Sequence, residues 1–208
     1  MRETAAAMVS ESKDQEAPRQ TARPWRAHIE ARLNRSPSDL DLRQTLKPAA
    51  VLVPIVERDK PTLLLTKRSE AMPTHAGQIS FPGGRVHSAD RTLVATALRE
   101  LHEEIGIAPD FVSLGGFLDP YETVNSGFMI LPVVGFVREA FTLNVNAHEV
   151  AEVFEAPLEF LVDPKNRARV SVERQGVMRE FHTISFGPHT IWGATAEMIV
   201  NLGERLRA

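Results

Sequence analysis

The segment from Leu93 to Gly106, LVATALRELHEEIG, constrains the fold of this chain most strongly. At 100° per residue its large apolar side chains fall on one stripe of a helix, which predicts that the helix packs on a β-sheet. Gly106 is well placed to end this helix in a left-handed conformation. The stripe consists of Val94, Leu98, Leu101 and Ile105.

Two apolar runs ahead of this helix, residues 49–56 and 62–66, predict a β-hairpin around the charged turn 57–60. Strands and helices then interleave without strict βαβ repetition, which favours an α/β sandwich with a mixed β-sheet over a doubly wound fold. The other predicted strands cover 78–81, 114–118, 129–137 after a turn at 125–127, 150–154, and 170–185 with a turn at 175–176; the other predicted helices cover 25–33, 157–162 and 195–207.

Chain length and composition predict one globular domain. A chain of 208 residues fits a single core. Residues 1–23 are polar and poor in large apolar side chains, so we expect a disordered tail there and one domain, with an N-terminal helix, from 24 to 208. The absence of cysteine excludes disulfides, thiolate nucleophiles and cysteine-ligated zinc.

Charge and hydropathy restrict the partners and the compartment. A formal net charge of -3 provides no electrostatic footprint for nucleic acid or an anionic membrane. No apolar run approaches the roughly 20 residues that span a bilayer, and the first residues lack the hydrophobic stretch of a secretory signal. We therefore expect a cytoplasmic protein with a small-molecule partner and neither nucleic acid nor a membrane. The oligomeric state stays open, a homodimer included.

Three glutamates, Glu100, Glu103 and Glu104, fall on the helix side opposite the apolar stripe. Like charges at this spacing are mildly destabilising, and the helix dipole disfavours acids in the last turn. A solvated acidic face is one explanation. A divalent cation site is the other, because Mg²⁺ prefers oxygen ligands and keeps waters that can attack a substrate.

Two features near the acidic helix favour the cation site. Gly83 and Gly84 follow a predicted β segment, and such glycines let the backbone approach a ligand closely, with a carbonyl free to join a metal shell. For a lone glycine pair, an ordinary turn is the alternative. Arg99 lies one turn before Glu103 and is predicted to pair with that carboxylate.

These residues resemble the Nudix box, in which Gly, five residues, Glu and seven residues precede Arg-Glu-U-x-Glu-Glu-x-Gly-U, with U aliphatic. The chain departs from this pattern in the loop before the helix. Asp90 stands at the first acidic position, and eight residues instead of seven separate it from Arg99. The matching positions are Arg99, Glu100, Leu101, Glu103, Glu104, Gly106 and Ile107.

The chain also resembles the coenzyme A pyrophosphatase-like branch of the Nudix superfamily, over roughly residues 49–206. Met72-Pro73 replaces a leucine-containing pair of the branch, so that loop is expected to differ in shape. The resemblance implies the Nudix α/β/α sandwich, a Mg²⁺ or Mn²⁺ cofactor, and hydrolysis of coenzyme A to 3′,5′-ADP and 4′-phosphopantetheine. The matching segments are LTKRS at 65–69, HAGQISFPGG at 75–84, TALRE at 96–100, LDPY at 118–121, PVVG at 132–135 and WGAT at 192–195.

The resemblance also implies roles for individual residues. We expect the metal at Glu100, Glu103, Glu104 and Gly83; catalysis by Glu100, Glu104, Arg99 and Glu149; and substrate binding by Arg68, Ser69, His75, Gln78 and Gly84.

Several of these roles have alternatives. Glu149 is the candidate for a further acid from a later loop, with Glu152 as its alternate, and either could be a plain surface glutamate. Arg68 can grip phosphate with its planar fork or serve as a structural strand-end arginine. His75 and Gln78 can contact substrate or tie down their loop. Phe81 and Trp192 are assigned to the core, with stacking on a nucleobase as the alternative.

Two other functions stay open. The first is a Nudix hydrolase of another nucleoside diphosphate derivative, such as NADH, ADP-ribose, a nucleotide sugar or a deoxynucleoside triphosphate. The second is a non-catalytic nucleotide-sensing module. The box itself does not encode the leaving group, so a panel of substrates is needed to separate them.

Overall fold

A computed structural model of the chain describes residues 23–37, 46–123, 126–174 and 176–208. Residues 1–22 of the expected tail lie outside this part of the chain, so the tail and the single-domain boundary stay predictions. Asn125 and Gln175, each in a predicted turn, lie outside it as well.

The described residues form four α-helices and eleven strands, and every helix and strand predicted from sequence is confirmed. Three short strands, β4, β6 and β11, had no prediction. None of the described helices is long and apolar enough to cross a membrane. In chain order the elements are α1 Pro24–Glu30, β1 Lys47–Val56, β2 Thr62–Arg68, β3 Ile79–Ser80, β4 Gly83–Arg85, α2 Leu93–Ile105, β5 Val112–Phe117, β6 Tyr121–Glu122, β7 Phe128–Val137, β8 Val150–Pro157, α3 Leu158–Val162, β9 Arg167–Arg174, β10 Val177–Phe186, β11 His189–Trp192 and α4 Ala194–Arg207.

The main sheet is mixed, as predicted. Its central strands β1 and β7 run parallel, and their register extends from Lys47–Phe128 to Val56–Val137. The other pairs are antiparallel and include the predicted β1–β2 hairpin. The sheet has the order β3-β2-β1-β7-β5, with β4 on β1, β6 on β7 and β8 on β2. A second antiparallel sheet, β11-β10-β9, has its β11 edge beside β3.

Both faces of the main sheet are covered, which explains why β1 reads as a continuous apolar run. Alternate residues of a strand point to opposite faces. Ala50 and Leu52 pack with α2 on one face, whereas Val53 and Ile55 pack with α4 on the other. These layers form the α/β/α sandwich that the sequence predicted.

Helix α2 begins and ends where the sequence indicates. The Thr92 hydroxyl caps it by accepting the Ala95 N–H at 3.1 Å. Gly106 ends it with φ of 79° and donates its N–H to the His102 carbonyl.

The buried face of α2 is rotated from the predicted apolar stripe. Val94 and Leu98 are only partly buried, and Glu104 points inward and is 3% exposed. The expectation that Glu104 shares one outer face with Glu100 and Glu103 was therefore wrong. The buried residues are Thr96, Ala97, Leu101, Glu104 and Ile105.

Candidate active site

The glycine pair brings the main chain of β4 against α2 and β1. Gly84 lies opposite Ala50 of β1, with its missing side chain directed at α2. A Cβ at Gly84 would lie 2.6 Å from Cδ of Glu100, and a Cβ at Gly83 would lie 2.6 Å from the Ala50 carbonyl oxygen. Gly83 therefore needs glycine because it lies against the backbone of β1, whereas a Cβ at Gly84 would displace the carboxylate of Glu100.

Glu104 is a buried carboxylate that is only partly satisfied. Its carboxylate accepts the backbone N–H of Gly83. Its Oε2 is buried and has no hydrogen-bond partner within the part of the chain that the structure describes. Burial raises the pKa of Glu104 to about 8, and the charges of Glu100 and Glu149 add to this increase, while Arg68 opposes it. An unpaired buried carboxylate costs free energy, so a cation bound beside it would stabilise its charge.

Glu100 lies one turn earlier and is also shielded, with 12% of its side chain exposed. Burial raises the pKa of Glu100; its hydrogen bond to Arg99 opposes this effect, and the charges of Glu103 and Glu149 add to it. The charge of Glu100 in turn disfavours ionisation of Glu104.

Arg99 holds the acidic residues of this region in place. Its Nε and Nη2 donate to the two oxygens of Asp90, each at 3.0 Å, and its Nη1 donates to Glu100 at 2.9 Å and Glu103 at 2.8 Å. Nη2 also donates to the Arg85 carbonyl, just after the glycine pair. These contacts make Arg99 a positioning residue that ties β4, the preceding loop and α2 together.

Asp90 takes the first acidic position of the motif despite the altered spacing. Besides the two bonds from Arg99 it accepts the His87 N–H at 2.8 Å and the Thr96 hydroxyl at 2.9 Å. The Arg99 bonds, followed by the bond from His87, hold the pKa of Asp90 well below its usual range. The sequence pointed to Asp90 only through its spacing from Gly84 and did not indicate that it pairs with Arg99.

Glu103 stands apart from the other two glutamates. Its side chain is 51% exposed and pairs with Arg99, as predicted. Among the residues with described positions, no three acidic or histidine side chains are gathered into a metal site as they stand. Of the three box glutamates, the structure thus places two, Glu100 and Glu104, together behind the glycine pair.

The loop before β8 brings a further acid, Glu149, to these two glutamates. The Asn146 N–H donates to the Glu104 carbonyl at 2.9 Å, and the Ser69 N–H donates to the Glu149 carbonyl at 2.8 Å. Glu149 is partly buried, and its charge raises the pKa of both Glu100 and Glu104.

The alternate acid, Glu152, lies away from this cluster. It sits in β8 opposite Lys67, is 47% exposed, and faces Nε2 of His189 at 3.4 Å. Of the two candidates, the geometry therefore favours Glu149.

Arg68 supplies positive charge at the edge of the acidic cluster. It ends β2, and its charge lowers the pKa of Glu104. Its Nε is buried without a hydrogen-bond partner among the described residues. A guanidinium with unused donors beside buried carboxylates can bind phosphate oxygens. Ser69, the next residue, accepts the Ala71 N–H with its hydroxyl at 3.2 Å and so shapes the following loop.

His75 and Gln78 are bonded to each other. Nδ1 of His75 lies 2.7 Å from Oε1 of Gln78, and His75 has φ of 59°, a left-handed conformation that costs a non-glycine residue free energy. Gln78 also accepts the Arg68 N–H at 3.0 Å through its carbonyl. The pair thus fixes the loop that leads from Arg68 to the glycines.

Phe81 is buried, as predicted, but the assignment of Trp192 to the core was wrong. Phe81 is 3% exposed, whereas Trp192 is 43% exposed. Trp192 ends β11 on the face of the small sheet that does not contact α4, and hydropathy alone does not reveal which face of such a strand is covered.

The described carboxylates are not gathered into a finished metal site, but the chemistry of their oxygens suits a hard divalent cation. Glu100, Glu104 and Glu149 offer carboxylate oxygens, which such ions prefer, and the unpartnered Oε2 of Glu104 is the observation that carries the fit.

Comparisons with known proteins identify the family of this chain. The NUDIX domain family matches residues 46–175. The uncharacterized Nudix hydrolase NudL of Photorhabdus laumondii is 38% identical over 159 residues, which cover 76% of this chain and 84% of that protein. NudL of an Enterobacter species is 40% identical over 156 residues, which cover 75% and 81% of the two chains.

Solved structures show the same fold. The crystal structure of a MutT/nudix family protein from Enterococcus faecalis aligns with a TM-score of 0.53 at 17% identity, covering 79% of this chain and 63% of that one. Members of the Nudix family generally use divalent metal ions and act on small nucleotide substrates. The chain belongs to this family: it is a Nudix hydrolase, a pyrophosphohydrolase that acts on phosphoric anhydride bonds in nucleoside diphosphate derivatives.

Proposed function

We propose that this protein hydrolyses the diphosphate of coenzyme A or its derivatives to 3′,5′-ADP and 4′-phosphopantetheine or its acyl form. The observation that carries the chemistry is the buried, unpartnered carboxylate oxygen of Glu104 beside Glu100, Glu149 and Arg68. The coenzyme A assignment rests on the sequence signature around Arg68 and Gln78.

The proposed cofactor is Mg²⁺ or Mn²⁺, held by Glu100, Glu103, Glu104 and the Gly83 carbonyl. The repulsion between Glu100 and Glu104 supports this proposal, because a cation would relieve it. A bound divalent ion neutralises the diphosphate and lowers the pKa of a coordinated water. Glu103 would have to loosen its ion pair with Arg99 to contribute.

The residues of the chain itself supply the remaining chemistry. A water attacks one phosphorus, the bridging oxygen leaves with the other phosphate, and a carboxylate of Glu149 or Glu100 accepts the water's proton. Arg68 grips the diphosphate oxygens with its free guanidinium donors. Arg99 keeps Glu100 in place without touching the substrate, and Gly84 lets the backbone lie against Glu100.

The loop between β2 and β4 is proposed to select the substrate. Ser69, His75 and Gln78 belong to this loop, and the backbone bond between Gln78 and Arg68 places it at the edge of the acidic cluster. We propose a small-molecule nucleotide as the only substrate class, with no nucleic acid.

A substrate panel tests this proposal. Purified protein with Mg²⁺ or Mn²⁺ is incubated with coenzyme A, acetyl-coenzyme A, NADH, ADP-ribose, a diadenosine polyphosphate and deoxynucleoside triphosphates, and products are identified by mass spectrometry. We expect the highest kcat/KM on a coenzyme A species. Faster cleavage of another diphosphate would refute the coenzyme A assignment and leave the chemistry intact.

The variant Glu104→Gln, compared with Glu159→Gln, tests the acidic site. Glu159 is a matched control because its side chain is 73% exposed and pairs only with Lys60 in the described structure. We expect Glu104→Gln to abolish metal-dependent turnover and Glu159→Gln to retain it. Equal activity of the two variants would remove Glu104 from the site.

A further inference from the structure

Trp192 exposes a large aromatic surface that the proposed chemistry does not use. Its side chain is 43% exposed, and its ring centroid lies 6.0 Å from that of Phe181 at an angle of 48°. The only other tryptophan, Trp25, packs instead against Phe136 at the hydrophobic core. Contiguous exposed apolar surface is a candidate binding site.

The register of the small sheet defines this surface. Trp192 of β11 pairs with Thr183 of β10, so both point to one face, and Phe181 lies on the same face two residues away. Val170 of β9 pairs with Phe181 and is 37% exposed. The opposite face carries Ile191, which is fully buried against α4. The aromatic surface therefore lies on the face of the small sheet opposite α4.

A short series of contacts connects Trp192 to the acidic cluster. A Cβ at Gly193, the next residue, would lie 3.5 Å from Nε2 of Gln78. Gln78 is bonded through its carbonyl to Arg68, whose charge acts on Glu104. The start of α4, just after Gly193, is held to β3 because the Thr195 hydroxyl donates to the Ile79 carbonyl at 3.2 Å.

We propose that Trp192 and Phe181 form an aromatic shelf on which the nucleobase of the substrate stacks while its diphosphate lies at Arg68 and Glu104. This inference rests on the proposed function and names a specificity-determining residue for it. Every nucleobase has a π-face that can stack on such a ring. The stacking therefore requires a base in the substrate but does not depend on the group on the other side of the diphosphate.

Tryptophan fluorescence tests the shelf without turnover. Trp25→Phe leaves Trp192 as the only tryptophan, and Trp192→Phe leaves Trp25. The ligand is AMP, added in the presence of Mg²⁺. Because AMP contains no phosphoric anhydride bond, the enzyme does not consume it. We expect AMP to quench Trp25→Phe with saturation and to leave Trp192→Phe unchanged, while ribose 5-phosphate, which lacks the base, quenches neither. Equal quenching by both ligands, or none by AMP, would overturn the shelf.

Steady-state kinetics provide a second test. Loss of one stacked base corresponds to about a tenfold rise in KM, so Trp192→Ala should show this rise with kcat within about twofold of wild type. Trp192→Phe should restore much of the KM, whereas Trp192→Leu, which keeps apolar bulk without a ring, should resemble Trp192→Ala. Met178→Ala is the matched control, because Met178 is 62% exposed on the other face of the sheet.

The outcomes separate the shelf from the proposed function. An unchanged KM in both Trp192→Ala and Trp192→Leu would overturn the shelf, as would a change of oligomeric state in these variants without a change in KM. If the wild-type protein cleaves no diphosphate but AMP still quenches Trp192 selectively, the proposed function falls and the shelf stands.

Discussion

Replacing Glu104 by glutamine should stabilise the protein in the absence of metal while abolishing turnover. Burial raises the pKa of Glu104 from 4.5 to about 8, so the folded state binds more protons than the unfolded state between these values. The contribution of Glu104 to stability therefore falls as pH rises through this window, and it is fully present only below pH 4.5. At 1.36 kcal/mol per pKa unit, the charge of Glu104 costs about 3 kcal/mol at pH 7.

Urea unfolding in chelator measures this cost. We expect the free energy of unfolding of Glu104→Gln to be about 3 kcal/mol higher than that of wild type at pH 7. The difference should be larger at pH 8.5 and small at pH 5. For a chain of this size this corresponds to a rise of roughly 6–12 °C in Tm at pH 7.

Glu103→Gln is the internal control for the stability measurement. Because its side chain is 51% exposed, it should change stability by about 0.5 kcal/mol or less. A Glu104→Gln protein that is less stable than wild type in chelator at pH 7, or equally stable, would refute the idea that Glu104 is a buried, unsatisfied charge.

Three further predictions follow from the same site. Asp90→Asn should lower kcat about 10- to 100-fold with a small change in KM, because Arg99 loses its charged partner and no longer holds Glu100; turnover within twofold of wild type would contradict this role. Gly84→Ala should reduce kcat/KM at least about tenfold, because the added Cβ displaces Glu100, and full activity would mean that the site has slack that the packing does not show. Mn²⁺ at about 100 times its Kd should stabilise wild type by about 2.7 kcal/mol in thermal unfolding and leave Glu104→Gln nearly unchanged, whereas equal stabilisation of both would place the ion elsewhere.

The main layers of the fold could be predicted from the sequence because they depend on local periodicity. The continuous apolar run of β1 indicates a strand covered on both faces, and the 3.6-residue pattern ending at Gly106 indicates the bounds of α2. These signals depend only on residues close in the chain, and the structure retains them.

The parts that could not be predicted depend on contacts between distant segments. Hydropathy places a glutamate outside, yet Glu104 is buried because β4 and the Glu149 loop close over the end of α2. Asp90 reaches Arg99 through a loop conformation that its spacing does not encode. Trp192 is exposed because α4 covers the other face of its sheet.

The most direct test of the central claim is hydrolysis of coenzyme A by the wild-type protein in ¹⁸O-labelled water with Mg²⁺ or Mn²⁺, followed by mass spectrometry of both products. We expect 3′,5′-ADP and 4′-phosphopantetheine, one of them carrying a single ¹⁸O on a phosphate, and no product in chelator or with Glu104→Gln. Intact coenzyme A after prolonged incubation with either metal, under conditions in which the folded protein cleaves another diphosphate, would contradict the central claim.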